Sequence, residues 1–220
     1  MLKPIAKITD LKTAKDKNEK GAISAEWQIL GFNKFIEKEV FDTIKVTSIH
    51  SCLKNHIDIE LDNAVPSEFV NKKTTEYHNR KLNEAFALAE YAAMKQGFDV
   101  KVVVHLNNDK IIPYEKMTNY ISNLLKKYQN TKRAIEKIMM INSSGTIRPA
   151  YESDSVSSFV KEIRKRLEPE LKERVGTVLD ICHAYGSIRM KNLLLNNTND
   201  ETEELNELEK YFNENKVEKK

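Results

Sequence analysis

The apolar patterning of the chain predicts an α+β fold, a mixed sheet with helices packed on it, and three observations carry that expectation. Short runs alternating apolar and polar residues dominate the first sixty positions, as half-buried strands do. A long segment at helical spacing, 75–96, separates two extended stretches and implies a crossover. After it, Phe98, Val100, Val102, Val104 and Leu106 alternate while Val103 keeps the opposite side apolar, the signature of an interior strand covered on both faces.

The first strand spans Pro4–Asp10, with Ile5, Ala6 and Ile8 beside Lys7 and Thr9, and the polar run Lys12–Lys20 reads as a charged loop. Gly21 opens a second strand in which Ile23, Ala25, Trp27 and Ile29 share a face, and Gly31-Phe32-Asn33 can turn the chain. A third extended stretch lies between Lys38 and Ile49, where Val40, Ile44 and Val46 alternate with polar residues. These three strands are expected to form an antiparallel meander. Ile57, Ile59 and Leu61 alternate with His56, Asp58 and Glu60, so this segment is a fourth strand or part of an insertion around 50–74.

Leu82, Ala85, Phe86, Ala89 and Ala93 fall at helical spacing, a threonine pair, Thr74 and Thr75, offers an N-cap, and Gly97 supplies the stop. Pro113 suits the first turn of a second helix whose stripe is Tyr114, Met117, Ile121, Leu124 and Tyr128. A strand over Ile135–Ile141 leads to the polar loop Asn142–Thr146, and Ser153-Asp154-Ser155 can cap a helix carrying Val156, Phe159, Val160, Ile163 and Leu167. Pro169 interrupts it. A further helical region, 169–198, carries Leu171, Val175, Leu179, Cys182 and Leu193, and residues 199–220 form an acidic tail in which Leu205, Leu208 and Phe212 could line one face of a short helix. The main domain is thus expected to end near 168.

Composition narrows the function classes. With 220 residues, 40% apolar and 31% charged, the chain fits a globular domain able to bury a core, and disordered or collagenous classes are excluded. No apolar run reaches the roughly 18–20 residues of a membrane span, and the opening Met1–Lys7 lacks a secretory signal pattern, so an intracellular, cytoplasmic protein without a membrane partner is expected. Cys52 and Cys182 stand 130 positions apart without CxxC spacing, which points to reduced thiols. Charge is uneven: from 199 to 220 eight acidic residues face four lysines, so the net +3 leaves about +7 on residues 1–198. That surplus makes nucleic acid a candidate partner, and the tail with the region before it, 170–220, a candidate surface for a protein partner.

The order β-β-β-α-β-α-β-α resembles the ribonuclease H-like fold over about residues 4–168. Residues at the ends of the elements carry the resemblance: Ile8-Thr9-Asp10 closing the first strand, Gly21-Ala22-Ile23 opening the second, Glu84-Ala85-Phe86-Ala87-Leu88 on the first helix, Leu106-Asn107-Asn108-Asp109 after the interior strand, and Asp154 at the start of the later helix. The resemblance implies that Asp10, Glu84, Asp109 and Asp154 are the catalytic carboxylates and bind Mg²⁺, with Asn107 the alternative to Asp109. Leu11 departs from the family by replacing the glycine that usually follows the first aspartate, and the histidine expected after Ile141 is missing.

Two magnesium ions held by converging carboxylates would position water and stabilise the leaving oxygen of a phosphodiester, so the implied activity is metal-dependent endoribonuclease action, with an RNA–DNA hybrid as the substrate. The alternative is a binding or assembly protein that keeps the fold without a complete metal site. Each acid also has a structural use: Asp10 can end a strand, Glu84 can face solvent, and Asp154 can cap a helix. Asp58 and Glu60 with Asp99-Val100-Lys101 offer a second nuclease pattern, an acid two positions before a lysine on a strand. Ser143-Ser144-Gly145-Thr146 lacks the lysine of a phosphate-binding loop. Among His50, His56, His78, His105 and His183, none spaced as HExxH, His105 stands out because it lies near the end of an interior strand.

Overall fold

The computed structural model describes residues 5–30, 37–54, 57–58, 61–66, 68, 71–106, 112–128, 139–143, 153–177, 189 and 200–214. In chain order the elements are β1 (Ala6–Ile8), α1 (Leu11–Glu19), β2 (Ser24–Leu30), α2 (Val40–Thr43), β3 (Lys45–Lys54), β4 (Ile57–Asp58), α3 (Leu61–Ala64), α4 (Lys72–Gln96), β5 (Lys101–Leu106), α5 (Tyr114–Lys127), β6 (Met139–Ser143), α6 (Ser153–Arg166), α7 (Pro169–Lys172), β7 (Val175–Thr177) and α8 (Glu201–Glu214). One sheet runs in the order β1-β2-β3-β5-β6-β7, and every pair along it is parallel. Among the described strands only β4 runs antiparallel, against the end of β3.

Sheet and helices occur together as expected, but the pairing corrects the expected topology. The first three strands are parallel with helices in their connections, not an antiparallel meander, so the order departs from the ribonuclease H-like β-β-β-α-β-α-β-α. The strand at 101–106 does not lie beside the first strand; it sits between β3 and β6, and β1 is at the sheet's edge. The charged run after Asp10 is a helix, α1, rather than a loop, because Asp10 and Thr13 form a reciprocal capping box at its start. The presumed insertion around 50–74 begins inside β3 and contributes Leu61, Ala64 and Val65 to the core. Residues 175–177 pair with β6, so the sheet continues past residue 168 and 169–198 is not simply a helical extension.

Every crossover in this order advances the sheet in one sense. Right-handed crossovers that never reverse direction place all their helices on one face. Burial agrees. Ile8, Ala25, Trp27, Val46, Ile49, Val102 and Val104 join one core cluster with Leu82, Ala85, Phe86 and Ala89 of α4 and Ile121 and Leu125 of α5. In β3 the partner of β2 jumps from Val46 to Ser48, so Thr47 is an extra residue. That irregularity lets Val46 and Ile49, three apart, enter the same core and turns Ser48 and His50 to the other side.

The opposite face reads differently. Register aligns Lys7, Glu26, Ser48 and Lys101 in one row across β1, β2, β3 and β5, then Gln28, His50 and Val103 in the next. Val103 is only 2% exposed yet stands outside the helix-side core cluster, so this second face has a buried interior of its own.

Candidate functional site

The expected carboxylate cluster is not what the described residues assemble. Asp10 follows β1 and caps α1, its Oδ1 accepting the Thr13 amide at 2.8 Å while the Thr9 hydroxyl donates to Oδ2 at 3.2 Å. Glu84 is on the outward side of α4, its side chain 53% exposed, where the Lys81 ammonium donates to it at 2.6 Å. Its neighbours there are Lys38, Ala87, Leu88 and Tyr91, around a shallow depression away from the sheet. Asp154 lies in the first turn of α6, while Asp109 and Asn107 fall outside the described residues. Among the described residues no three His, Cys, Asp or Glu side chains converge to hold a metal, so the oxygen-rich set that Mg²⁺ prefers is not formed there. Of the second nuclease pattern, Asp58 is on β4, Asp99 precedes β5, Lys101 opens β5, and Glu60 lies outside the described residues.

The structure instead brings two histidines together. His50 in the second half of β3 and His105 near the end of β5 are on neighbouring parallel strands, with ring centroids 4.8 Å apart and planes at 65°. Both are buried, at 7% and 3% exposure, on the face that carries no core helices. Register explains the contact. His50 pairs with Val103, and His105 is two residues further along the same side of β5, a diagonal that side chains on one sheet face can span.

The backbone orients the first ring. His50 Nδ1 is 3.1 Å from the Ser51 carbonyl oxygen, and since a carbonyl only accepts, Nδ1 carries the proton. In the neutral ring this leaves the lone pair on Nε2, the arrangement by which a backbone carbonyl fixes a metal-binding imidazole. On the far side of β5, Asn142 of β6 is the register partner of His105. The sequence continues into Asn107-Asn108-Asp109 after β5 and into Asp180 and His183 after β7, all outside the described residues.

Such a place has a general meaning in parallel sheets. Strand ends and the loops that follow them converge at the carboxyl edge, where ligands bind while the helix-side core holds the scaffold rigid. His105 was singled out by its position near a strand end, but its partner was hidden. The extra residue at Thr47 breaks the alternation that would have placed His50, and a parallel neighbour far away in sequence leaves no local signal.

The chain matches no protein-family model, no curated protein and no solved structure. Among the described residues no helix is long and apolar enough to cross a membrane.

Proposed function

We propose that the protein is a metal-dependent hydrolase of phosphodiesters, acting on nucleic acid, with its site at the carboxyl edge of the parallel sheet rather than at the Asp10–Glu84 carboxylates. The observation that carries this reading is the buried His50–His105 pair on adjacent parallel strands, on the face opposite the helix-side core. Imidazole donors favour Zn²⁺ over Mg²⁺, so the metal expected from the carboxylates changes with the site. Two imidazoles are fewer than the three protein ligands of a hydrolytic zinc site. Among the described residues the pair supplies two of them.

A bound divalent ion would lower the pKa of its water and offset charge on the phosphoryl oxygens. The chain's own residues do the remaining work. His50 is oriented by the Ser51 carbonyl, the buried wall around Val103 excludes water from behind the pair, and the basic surplus of residues 1–198 attracts a polyanion. The test is a Zn²⁺ and Mn²⁺ titration with parallel assays on bis(p-nitrophenyl) phosphate and on short DNA, RNA and hybrid duplexes. Wild type should bind about one ion or more and cleave at least one of these substrates. His50→Ala and His105→Ala should each lose metal affinity by more than the about 10–100-fold that loss of an outer-shell partner costs, since each removes a direct ligand. A wild type without metal binding overturns the reading, and metal binding without cleavage of any duplex or diester confines it to a binding protein.

A further inference from the structure

We infer that Gln96 sets the register between β3 and β5 and is thereby the positioning residue of the His50–His105 pair. Its role is the same whatever the pair binds, so the test needs no ligand.

The ladder between the two strands is short, and the sequence of β5 leaves its register ambiguous. Three residue pairs join them: Ser48 with Lys101, Ile49 with Val102 and His50 with Val103. Val102, Val103 and Val104 repeat one side chain at consecutive positions, so apolar patterning distinguishes neighbouring registers poorly. Parallel strands are joined by a long connection, so no hairpin turn fixes them either. A slip of two residues keeps the faces but moves His50 opposite Lys101 or opposite His105, and either one replaces the observed diagonal contact.

Gln96 supplies what the strands lack. It is the last residue of α4, just before β5 in the chain, so its place is tied to where β5 begins. Its Oε1 accepts the Val46 amide at 2.8 Å, and its Nε2 donates to the Val46 carbonyl at 3.1 Å. In a parallel ladder one residue directs its N–H and its C=O to the same neighbouring strand, and a carboxamide offers the matching acceptor and donor side by side. Val46 is two residues ahead of Ser48, the first residue paired with β5, so the side chain adds a rung where β5 has not begun. Nε2 also donates to the Ala92 carbonyl at 3.3 Å, which ties the rung to α4.

The rung stands beside the one place in this half of β3 where register is already irregular. Thr47, the extra residue against β2, follows Val46 directly, and its hydroxyl donates to the Ala25 carbonyl at 3.3 Å. An inserted residue interrupts the ladder and leaves backbone groups needing partners. Gln96 on one side and Thr47 on the other hold the irregularity before the strand reaches His50.

The experiment compares wild type, Gln96→Met, Gln96→Glu and Gly97→Ala by nuclear magnetic resonance of the full chain without metal. Methionine keeps the length and helix preference of glutamine but not its hydrogen bonds. Glutamate can accept the Val46 amide but sets a second acceptor against the Val46 and Ala92 carbonyls. Gly97→Ala weakens the same helix end while leaving the amide of Gln96 in place. Two quantities are read: hydrogen exchange of the Val46 amide, and cross-relaxation between the ring protons of His50 and His105. In both Gln96 variants the Val46 amide should exchange about tenfold faster, as loss of its hydrogen bond implies, and the ring-to-ring cross-relaxation should be lost. Gly97→Ala should keep both as in wild type. A role in helix bulk alone predicts that Gln96→Met behaves as wild type. Unchanged ring contact in the Gln96 variants overturns the inference even if Val46 exchanges faster, and so does an equal loss of contact in Gly97→Ala, which marks general loosening. If Gln96→Met does not fold, Gln96→Glu decides by the same two readings.

Discussion

At the residue scale, Asp10 shows how one side chain can satisfy two readings until its partners are known. Its Oδ1 takes the Thr13 amide while the Thr13 hydroxyl accepts from the Asp10 amide at 3.1 Å, which uses the carboxylate as a helix cap. Removing such a cap costs about 1 kcal/mol, and asparagine caps as well as aspartate. Asp10→Ala should therefore lower the melting temperature by roughly 2–4 °C, Asp10→Asn should change it little, and neither should alter Zn²⁺ affinity. A metal-binding aspartate would fail in the asparagine variant, so loss of metal binding there would restore the carboxylate site. The spacing Asp10-x-x-Thr13 was itself the legible sign of α1. It was masked because Lys12, Lys15, Asp16 and Lys17 leave only Ala14 fully buried, too little for a visible apolar stripe.

Arg174 makes a different point at the same scale. It is buried, its Nη1 donates to the Leu125 carbonyl at 3.0 Å, and burial pulls its pKa below the ordinary arginine value, with Asp99 and Glu90 opposing the shift. A guanidinium in this position ties the turn before β7 to the end of α5. Arg174→Ala leaves the buried carbonyl without that donor and should cost about 1–3 kcal/mol in a denaturant melt; a change below about 0.5 kcal/mol would show that the contact does not hold the turn.

At the element scale, what the sequence shows best is what local physics decides. The α4 stripe of Leu82, Ala85, Phe86, Ala89 and Ala93 is buried as its spacing predicts, and Gly97 ends the helix at φ 75°, where its amide donates to the Ala93 carbonyl. No atom lies within 4 Å of a Cβ built there, so Gly97→Ala should cost about 1 kcal/mol through backbone strain alone, measurable as a shifted denaturant midpoint, and Gly97→Asn less. The cap at the other end is Asn71, whose side chain accepts the Lys73 amide, rather than a threonine. In α8 Glu204 is buried, while Leu205, expected on the apolar face, is 56% exposed. Strand direction is not legible in the pattern. Alternation tells which residues share a face but not whether the next strand returns or crosses over, and the short α2, Val40–Thr43, interrupts a segment that alternates well enough to pass for strand.

At the scale of the whole molecule, the one-sense winding divides the labour between two faces. Apolar residues of the strands and the long helices fill one side, and a polar row with two buried histidines occupies the other. The sheet's last described strand belongs to this framework: Leu171 and Val175 are fully buried, and β7 pairs with β6 over three residues. A chain ending at residue 168 should therefore fail to fold cooperatively, as judged by circular dichroism melting, whereas a stable, cooperative 1–168 fragment would restore the boundary that the pattern of elements suggests. The two faces also set the test of the central claim. X-ray diffraction from crystals soaked in Zn²⁺, recorded at the zinc edge, should give an anomalous peak about 2.0–2.1 Å from a ring nitrogen of both His50 and His105. A peak beside Asp10 or Glu84 with none at the histidines, or no peak near either pair, would contradict the account.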